Sequence, residues 1–368
     1  MSTRLNRRDD KTRNEHVCSV VAKPKTLSIM LTFTCTAACE NCGTLSSPKS
    51  RENISAENAM RYMDEAKGMA FEVVVFTGGE ATLRWKDLLR CISYSRMIGL
   101  KNRLVTNAYW ATTEAIAEEK ITALCSAGLD EINFSTGDEH VRYVPLDRVT
   151  LAAKVSIRKN LHTCIMVEVK TPACISRRDI LESGHISQLP EEVRRKLAIL
   201  ESPWMSLRPD EHYEYPEQYR MNSASAVKYG GCDSLLSTYT VQADGRIGAC
   251  CGLGMRNIGE LNAGMVGGAL KDAMAAAESD WIKLAIHYLG APKLLQFAAQ
   301  KDPTIKWENM YAHHCQACSR LYGDNKIRAA ILNNFSEIQR KVKEAMIIDE
   351  GLMSPFSQAA TGEVVFPQ

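Results

Sequence analysis

The sequence predicts an α/β protein built on a parallel sheet. Two observations carry this: as far as about Lys170, short β-branched runs alternate with amphipathic stretches, and capping residues or glycines punctuate the alternation. Leu27 to Phe33 reads as the first strand. Ser55 can cap a helix that runs to about Lys67, with Gly68 to end it. Glu72 to Phe76 is a second, β-branched strand, and a helix follows from about Leu83 to Ile98, with Gly99 just past its end. Arg103 to Thr106 is the third strand. Thr113 to Ala127 is helical and Gly128 stops it. Glu131 to Ser135 is the fourth strand, Leu146 to Lys159 a helix, and Thr163 to Val169 the fifth strand. Right-handed crossovers at this spacing build a doubly wound sheet, or a full or partial barrel. Either way, functional groups are expected at the carboxyl ends of the strands.

Beyond Lys170 the rhythm weakens, and Pro172, Pro190, Pro203, Pro209 and Pro216 interrupt it. A boundary is placed near Tyr215. The rest holds a Gly- and Cys-rich stretch, Gly230 to Gly259, and then helical segments. The last helix starts after Asp324, with Ile327, Ile331, Phe335, Ile338, Val342 and Met346 on one core-facing stripe. Residues from Gly351 onward read as a loose tail.

Composition limits the function classes. A net charge of +2 gives no electrostatic reason to expect nucleic acid or an anionic membrane. No stretch reaches the roughly 18 apolar residues of a spanning helix. Met1 to His16 lacks the apolar run of a signal peptide, and Arg7-Arg8 is followed by Asp9-Asp10. The expectation is a cytoplasmic protein without nucleic-acid or membrane partners. In such a compartment 13 cysteines point to metal or redox chemistry rather than a disulfide framework.

Directly after the first strand stands Cys35-Thr-Ala-Ala-Cys39-Glu-Asn-Cys42, a C-x3-C-x2-C spacing. Three thiolates on one loop can hold three irons of a cubane and leave the fourth open to a ligand. A structural zinc site wants four ligands, and no fourth lies nearby. Phe76-Thr-Gly78-Gly79-Glu80 follows the second strand. Neither glycine has a Cβ, so the backbone there can approach another group closely.

This combination resembles the radical SAM superfamily over roughly residues 25–169. The resemblance implies a partial (β/α)6 TIM-like barrel. It also implies a 4Fe–4S cluster on Cys35, Cys39 and Cys42 whose open iron chelates the methionine part of S-adenosylmethionine (SAM). Reductive cleavage of SAM would give a 5′-deoxyadenosyl radical that removes a substrate hydrogen atom. Gly78, Gly79 and Glu80 would bind SAM, with Glu80 accepting from the methionine ammonium. The third strand ends in Thr106-Asn107, where relatives often continue with Gly and this chain has Ala108. Asn107 is placed with the SAM contacts. Ser135 and Asp138, after the fourth strand, match a Ser and an Asp near the SAM ribose; here they are three positions apart, against the commoner two. Asn41 stands where many relatives carry an aromatic over the adenine. His140 reads as a loop histidine.

A second group comprises Cys232, Cys250 and the C-x2-C pair Cys315 and Cys318. Thr240 to Cys250 reads as a hairpin with Asp244-Gly245 at its turn. Four thiols suit a closed zinc site as well as a cluster. The pattern resembles the twitch form of the SPASM extension, which implies an auxiliary 4Fe–4S cluster fully ligated by protein. Cys251 is an alternative to Cys250, and His313 and His314 flank the pair as loop contacts. Cys18, Cys91, Cys125, Cys164 and Cys174 read mostly as small buried hydrophobes.

The expected organisation is a polar tail over 1–24, a radical SAM core over 25–215, an auxiliary-cluster domain over 216–323, an amphipathic helix over 324–350 and a tail over 351–368. The resemblance implies an electron donor such as flavodoxin or ferredoxin. It implies a ribosomally made peptide as substrate, to be oxidised, cross-linked or epimerised. The alternatives are oxidation of a small alcohol or sugar-like metabolite, and a non-catalytic SAM- or metal-binding protein. About 25 residues precede the first strand, too few for a leader-binding domain, so a leader would bind in trans or on the core. No catalytic acid or base is assigned. Asp210, His212, Tyr213 and Tyr215 stand as pocket-lining or barrel-edge residues.

Overall fold

The computed structural model describes residues 26–206, 213–251, 255–264 and 267–352. Strand β1 (Thr26–Thr32) is buried from Leu27 onward, as a strand covered on both faces must be. Helix α1 (Ala56–Gly68) follows, and the Ser55 side chain accepts from the Asn58 N–H at its start. Then come β2 (Val73–Gly78), α2 (Trp85–Met97), β3 (Lys101–Thr106), α3 (Glu114–Ala127), β4 (Glu131–Thr136), α4 (Leu146–Arg158) and β5 (His162–Val169). Thr113 caps α3 by accepting from Ile116 N–H, and Gly128 ends it at φ 100°. The βα alternation therefore forms as its caps and glycines indicate.

Three short helices, α5 (Arg177–Glu182), α6 (Gly184–Ser187) and α7 (Glu191–Arg194), lead to a sixth strand, β6 (Leu197–Pro203). Beyond it lie α8 (Ser223–Ala226), β7 (Thr238–Val241), β8 (Ile247–Gly248) and β9 (Asn262–Gly264). The chain continues in α9 (Leu270–Glu278), α10 (Trp281–Leu289), α11 (Ala291–Lys301), α12 (His314–Gly323), α13 (Asn325–Asn333) and α14 (Phe335–Leu352).

One sheet of nine strands runs β6-β5-β4-β3-β2-β1-β7-β8-β9. Its first six strands are parallel, so this is a partial β/α barrel whose sheet does not close on itself. β7 pairs in parallel with β1 and forms the hairpin with β8, with Gly245 at φ 85° in its turn. The segment after Tyr215 thus extends the barrel sheet past β1.

In β2, β3 and β4, alternate residues such as Val74, Phe76, Leu104, Ile132 and Phe134 are fully buried. Their neighbours Val75, Val105 and Ser135 are half-buried, which leaves the other face partly open. Two expectations need correction. The last helical stretch is two helices, because Asn334 (φ −120°, ψ 28°) breaks it between α13 and α14. Cys174 is exposed rather than buried, while Cys91 and Cys164 are buried and Cys125 half-buried. Cys18, Asp210 and His212 lie outside the described residues. Among the described residues no helix is long and apolar enough to cross a membrane.

Candidate functional site

Cys35, Cys39 and Cys42 lie on the loop that leaves the carboxyl end of β1, and all three are half-buried. This loop is pinned from below. Phe33 N–H donates to Glu52 O at 3.1 Å and Cys35 N–H to Ser47 O at 3.1 Å. The β2 exit clamps its other side: Gly79 N–H donates to Thr32 O at 2.7 Å and Glu80 N–H to Thr34 O at 2.9 Å. A Cβ on Gly78 would lie 2.3 Å from Thr32 O, and one on Gly79 2.3 Å from Thr34 O. The close approach that these glycines permit is therefore made to the cysteine loop itself.

Glu80 is buried where β2 and β3 exit. Its Oε1 accepts from Thr82 N–H, Thr82 Oγ1 and Thr106 Oγ1 at 3.1, 2.5 and 2.9 Å, and its Oε2 from Asn107 N–H at 2.8 Å. Burial pushes this carboxyl above its ordinary range against the pull of those four donors. Oε2 keeps acceptor capacity for a further donor. Asn107 Nδ2 reaches Thr36 Oγ1 at 3.1 Å and the Cys35 thiol at 3.7 Å, which brings β3 to the first cysteine. Ala108 holds φ 59°, the left-handed conformation that glycine adopts most readily.

The β4 exit packs on the same loop. Cys39 Sγ lies 3.8 Å from Glu139 O, and Tyr143 Oη donates to Ala38 O at 2.7 Å. Ser135 is half-buried on the open face of β4. The Asp138 carboxylate accepts from Cys174 N–H and Ile175 N–H, with Oδ1 at 3.0 and 2.8 Å, so it orders the loop after β5. His140 Nδ1 contacts Glu168 Oε1, and Glu168 Oε2 accepts Glu139 N–H at 3.0 Å. The histidine is thus ordered by β5, an arrangement that its sequence position does not reveal. Asn41 Nδ2 donates to Tyr213 Oη at 2.7 Å, so an aromatic from beyond β6 meets the loop beside Cys42. Tyr215 instead faces α12: it accepts from Gln316 Nε2 at 2.9 Å and donates to Trp204 O.

Burial, with neighbouring negative charge, pushes the Cys35 thiol up to about 11 and that of Cys39 higher. Held on one half-buried loop, these groups ionise together only against a compensating cation, which the irons of a cluster would provide. The donor set fits such a group.

The second group surrounds a cavity of 430 Å³ lined by Cys232, Cys250, Cys251, Cys315 and Cys318, with Ile258, His313 and His314 in its wall. Five thiols therefore converge, since Cys251 joins the four others. Burial raises the Cys318 thiol to about 12, followed by the charges of Cys232 and Cys251. Cys315 is raised by burial first, then by Cys251, Cys318, Cys250 and Cys232. His313 Nδ1 accepts Cys315 N–H at 3.1 Å and caps α12, and the His314 ring meets Tyr229 edge-on at 4.8 Å. Among the described residues no three His, Cys, Asp or Glu side chains stand close enough together to hold a single metal ion. The cavity's 430 Å³ far exceeds the ~10–15 Å³ that one water needs, so it has room for more than a single ion.

Residues 29–138 match the family model of the radical SAM superfamily. Among individual proteins, it is 28% identical over 121 residues to the putative peptide biosynthesis protein YydG of Bacillus subtilis (strain 168). That match covers 33% of this chain and 38% of the relative, well short of the relative's full length. In fold, the chain resembles the solved structure of anSMEcpe with bound AdoMet, with a TM-score of 0.54 at 13% identity, over 84% of this chain and 99% of that one. The structure of native anSMEcpe with bound AdoMet and the Cp18Cys peptide gives a TM-score of 0.50 at 12% identity, over 87% and 99% of the two chains.

Proposed function

We propose that this chain is a radical SAM enzyme that modifies a ribosomally made peptide by oxidation, cross-linking or epimerisation. The observation that carries the proposal is the convergence of the β2, β3 and β4 exits on the loop of Cys35, Cys39 and Cys42. The relationship to a putative peptide biosynthesis protein supports the substrate class, and the similar fold of anSMEcpe accommodates a peptide beside AdoMet.

In this reading Cys35, Cys39 and Cys42 hold a 4Fe–4S cluster. With SAM bound, that cluster supplies reductive carbon–sulfur cleavage and hydrogen-atom abstraction. The protein's task is positioning. Glu80 holds the β2 and β3 exits together and turns the remaining capacity of Oε2 towards the methionine ammonium. Gly78 and Gly79 set the distance between that exit and the cysteine loop. Asn107 fixes Thr36 against Cys35, and Ser135 faces the open side of the sheet, where the SAM ribose would lie. Asp138 acts one step away, by ordering the loop after β5. In the second cavity, Cys232, Cys315, Cys318 and one of Cys250 and Cys251 hold an auxiliary 4Fe–4S cluster. A reduced flavodoxin or ferredoxin is the proposed electron donor.

The test is anaerobic reconstitution followed by iron analysis and assay of deoxyadenosine from SAM with dithionite. Two full clusters give about eight irons per chain, falling to about four with cleavage abolished in a Cys35, Cys39, Cys42→Ala variant. About four irons with one zinc would make the second site a zinc knot. No deoxyadenosine would refute the reaction, and no mass change in any candidate peptide would refute the substrate class.

A further inference from the structure

Cys42 sits in a strained turn. Asn41 before it has φ 59° and Leu45 after it has φ 50°, both in the left-handed region that non-glycine residues enter at a cost. Such conformations persist where surrounding contacts over-determine them. Within the turn, Leu45 N–H donates to Cys42 O at 2.8 Å, and the Thr44 hydroxyl lies 3.3 Å from the Cys42 thiol and 2.8 Å from Ser46 Oγ. Leu45 is itself exposed, so apolar burial of its side chain does not hold it. Both left-handed residues have remote partners. Tyr213 meets Asn41, and Arg256 meets Leu45.

Arg256 lies in the chain between Cys251 and Cys315 of the second cysteine group. Its Nη1 donates to Thr44 O at 3.1 Å and Leu45 O at 3.3 Å, and its guanidinium lies over the Phe33 ring, 4.1 Å from the centroid. These contacts join the start and the end of the first cysteine loop through one side chain. The base of Arg256 is fixed by its neighbours. Met255 is buried against Gly248 of β8, where its sulfur leaves no room for a Cβ. Ile258 is buried and walls the five-thiol cavity. Arg256 therefore stands in the chain between Met255, packed on β8, and Ile258 in the cavity wall, and its side chain reaches the Cys42 turn.

We infer that Arg256 is a positioning residue which braces the Cys42 turn from the auxiliary segment and places a fixed positive charge beside the first cysteine loop. Charged hydrogen bonds to backbone carbonyls are among the stronger ones, and cation–π stacking on Phe33 adds to them. Outer contacts of this kind orient ligands and tune the group that they hold. The redox consequence rests on the radical SAM reading; the bracing itself does not.

The experiment uses the full chain as wild type, Arg256→Gln and Arg256→Lys. In cluster-free protein, the rate of Cys42 alkylation by iodoacetamide is read by peptide mass. After anaerobic reconstitution, the change that SAM makes in the spectrum of the reduced first cluster is recorded with its midpoint potential. Arg256→Gln should alkylate about tenfold faster at Cys42, as loss of a charged hydrogen bond implies. It should also shift the potential to more negative values and keep its iron at the second cavity. Arg256→Lys should restore the potential but leave alkylation fast, because an ammonium lacks the planar face that stacks on Phe33 and fixes the donor nitrogen beneath both carbonyls. Wild-type alkylation in Arg256→Gln would overturn the bracing, and an unchanged potential would overturn the charge effect. If Arg256→Gln fails to fold, wild-type alkylation in Arg256→Lys overturns the inference. Absence of any SAM-sensitive signal in the wild type would instead defeat the radical SAM reading, while the alkylation comparison would still test the brace.

Discussion

Glu80 and Gly79 work on the same few ångströms of backbone. Glu80 satisfies donors from three residues in a buried place, and truncating it leaves the donors of Thr82, Thr106 and Asn107 without their acceptor there. Each orphaned donor costs about 1–3 kcal/mol, so Glu80→Ala is expected to lose about 3 kcal/mol or more by denaturant unfolding. Gly79→Ala forces a Cβ against Thr34 O at 2.3 Å, where only backbone can yield. It is expected to destabilise by about 2–3 kcal/mol and to shift the cysteine loop. If Gly79→Ala unfolds like the wild type, the clamp is not tight. The Gly-Gly-Glu run stood out in the sequence as a place where the backbone can approach another group closely. What it approaches, the backbone of the β1 loop, depends on which segment lies opposite, and no local pattern records that.

Among the elements, those with local signals were legible, and those whose boundaries depend on tertiary packing were not. The caps at Ser55 and Thr113 and the stop at Gly128 mark their helices through bonds to nearby residues. The α13–α14 break was hidden because Ile327, Ile331, Ile338 and Val342 keep helical spacing across it, so both halves bury the same stripe. β6 was hidden by surrounding prolines and by its position at the sheet edge, where Ala198, Leu200 and Glu201 are exposed. Asp324 illustrates a junction with a strong local device. It pairs with Arg320 at 2.7 Å and accepts from Lys326 N–H at 2.8 Å at the start of α13. Burial alone would raise its carboxyl, but the Arg320 and backbone donors hold it below the ordinary range. A lowered folded value means that its contribution is complete above pH ~4 and is lost as pH falls through that value. Asp324→Asn should cost about 1–2 kcal/mol at neutral pH, and the gap from wild type should close below pH ~4. A gap that persists in acid would show that the carboxylate is not the origin.

At the scale of the whole molecule, the division after residue 215 crosses one continuous sheet. β7 from the second part lies against β1 from the first, from Thr26↔Thr238 to Ile29↔Val241. β1 is the strand that carries the cysteine loop, and from Leu27 onward it is buried on both faces. The second part thus covers what would otherwise be an apolar sheet edge at the centre of the site, and an uncovered edge of that kind pairs with other chains. Sequence rhythm exposed the two cysteine groups separately but not this pairing, because the paired residues lie far apart in the chain and the parallel crossover leaves no turn signal. Residues 25–215 expressed alone are therefore expected to be insoluble or aggregated by size exclusion. Residues 25–251, which restore β7 and β8, should improve recovery of soluble protein. A soluble, monomeric 25–215 fragment that still holds iron would show that the core is self-sufficient and that β7 is a decoration on its edge.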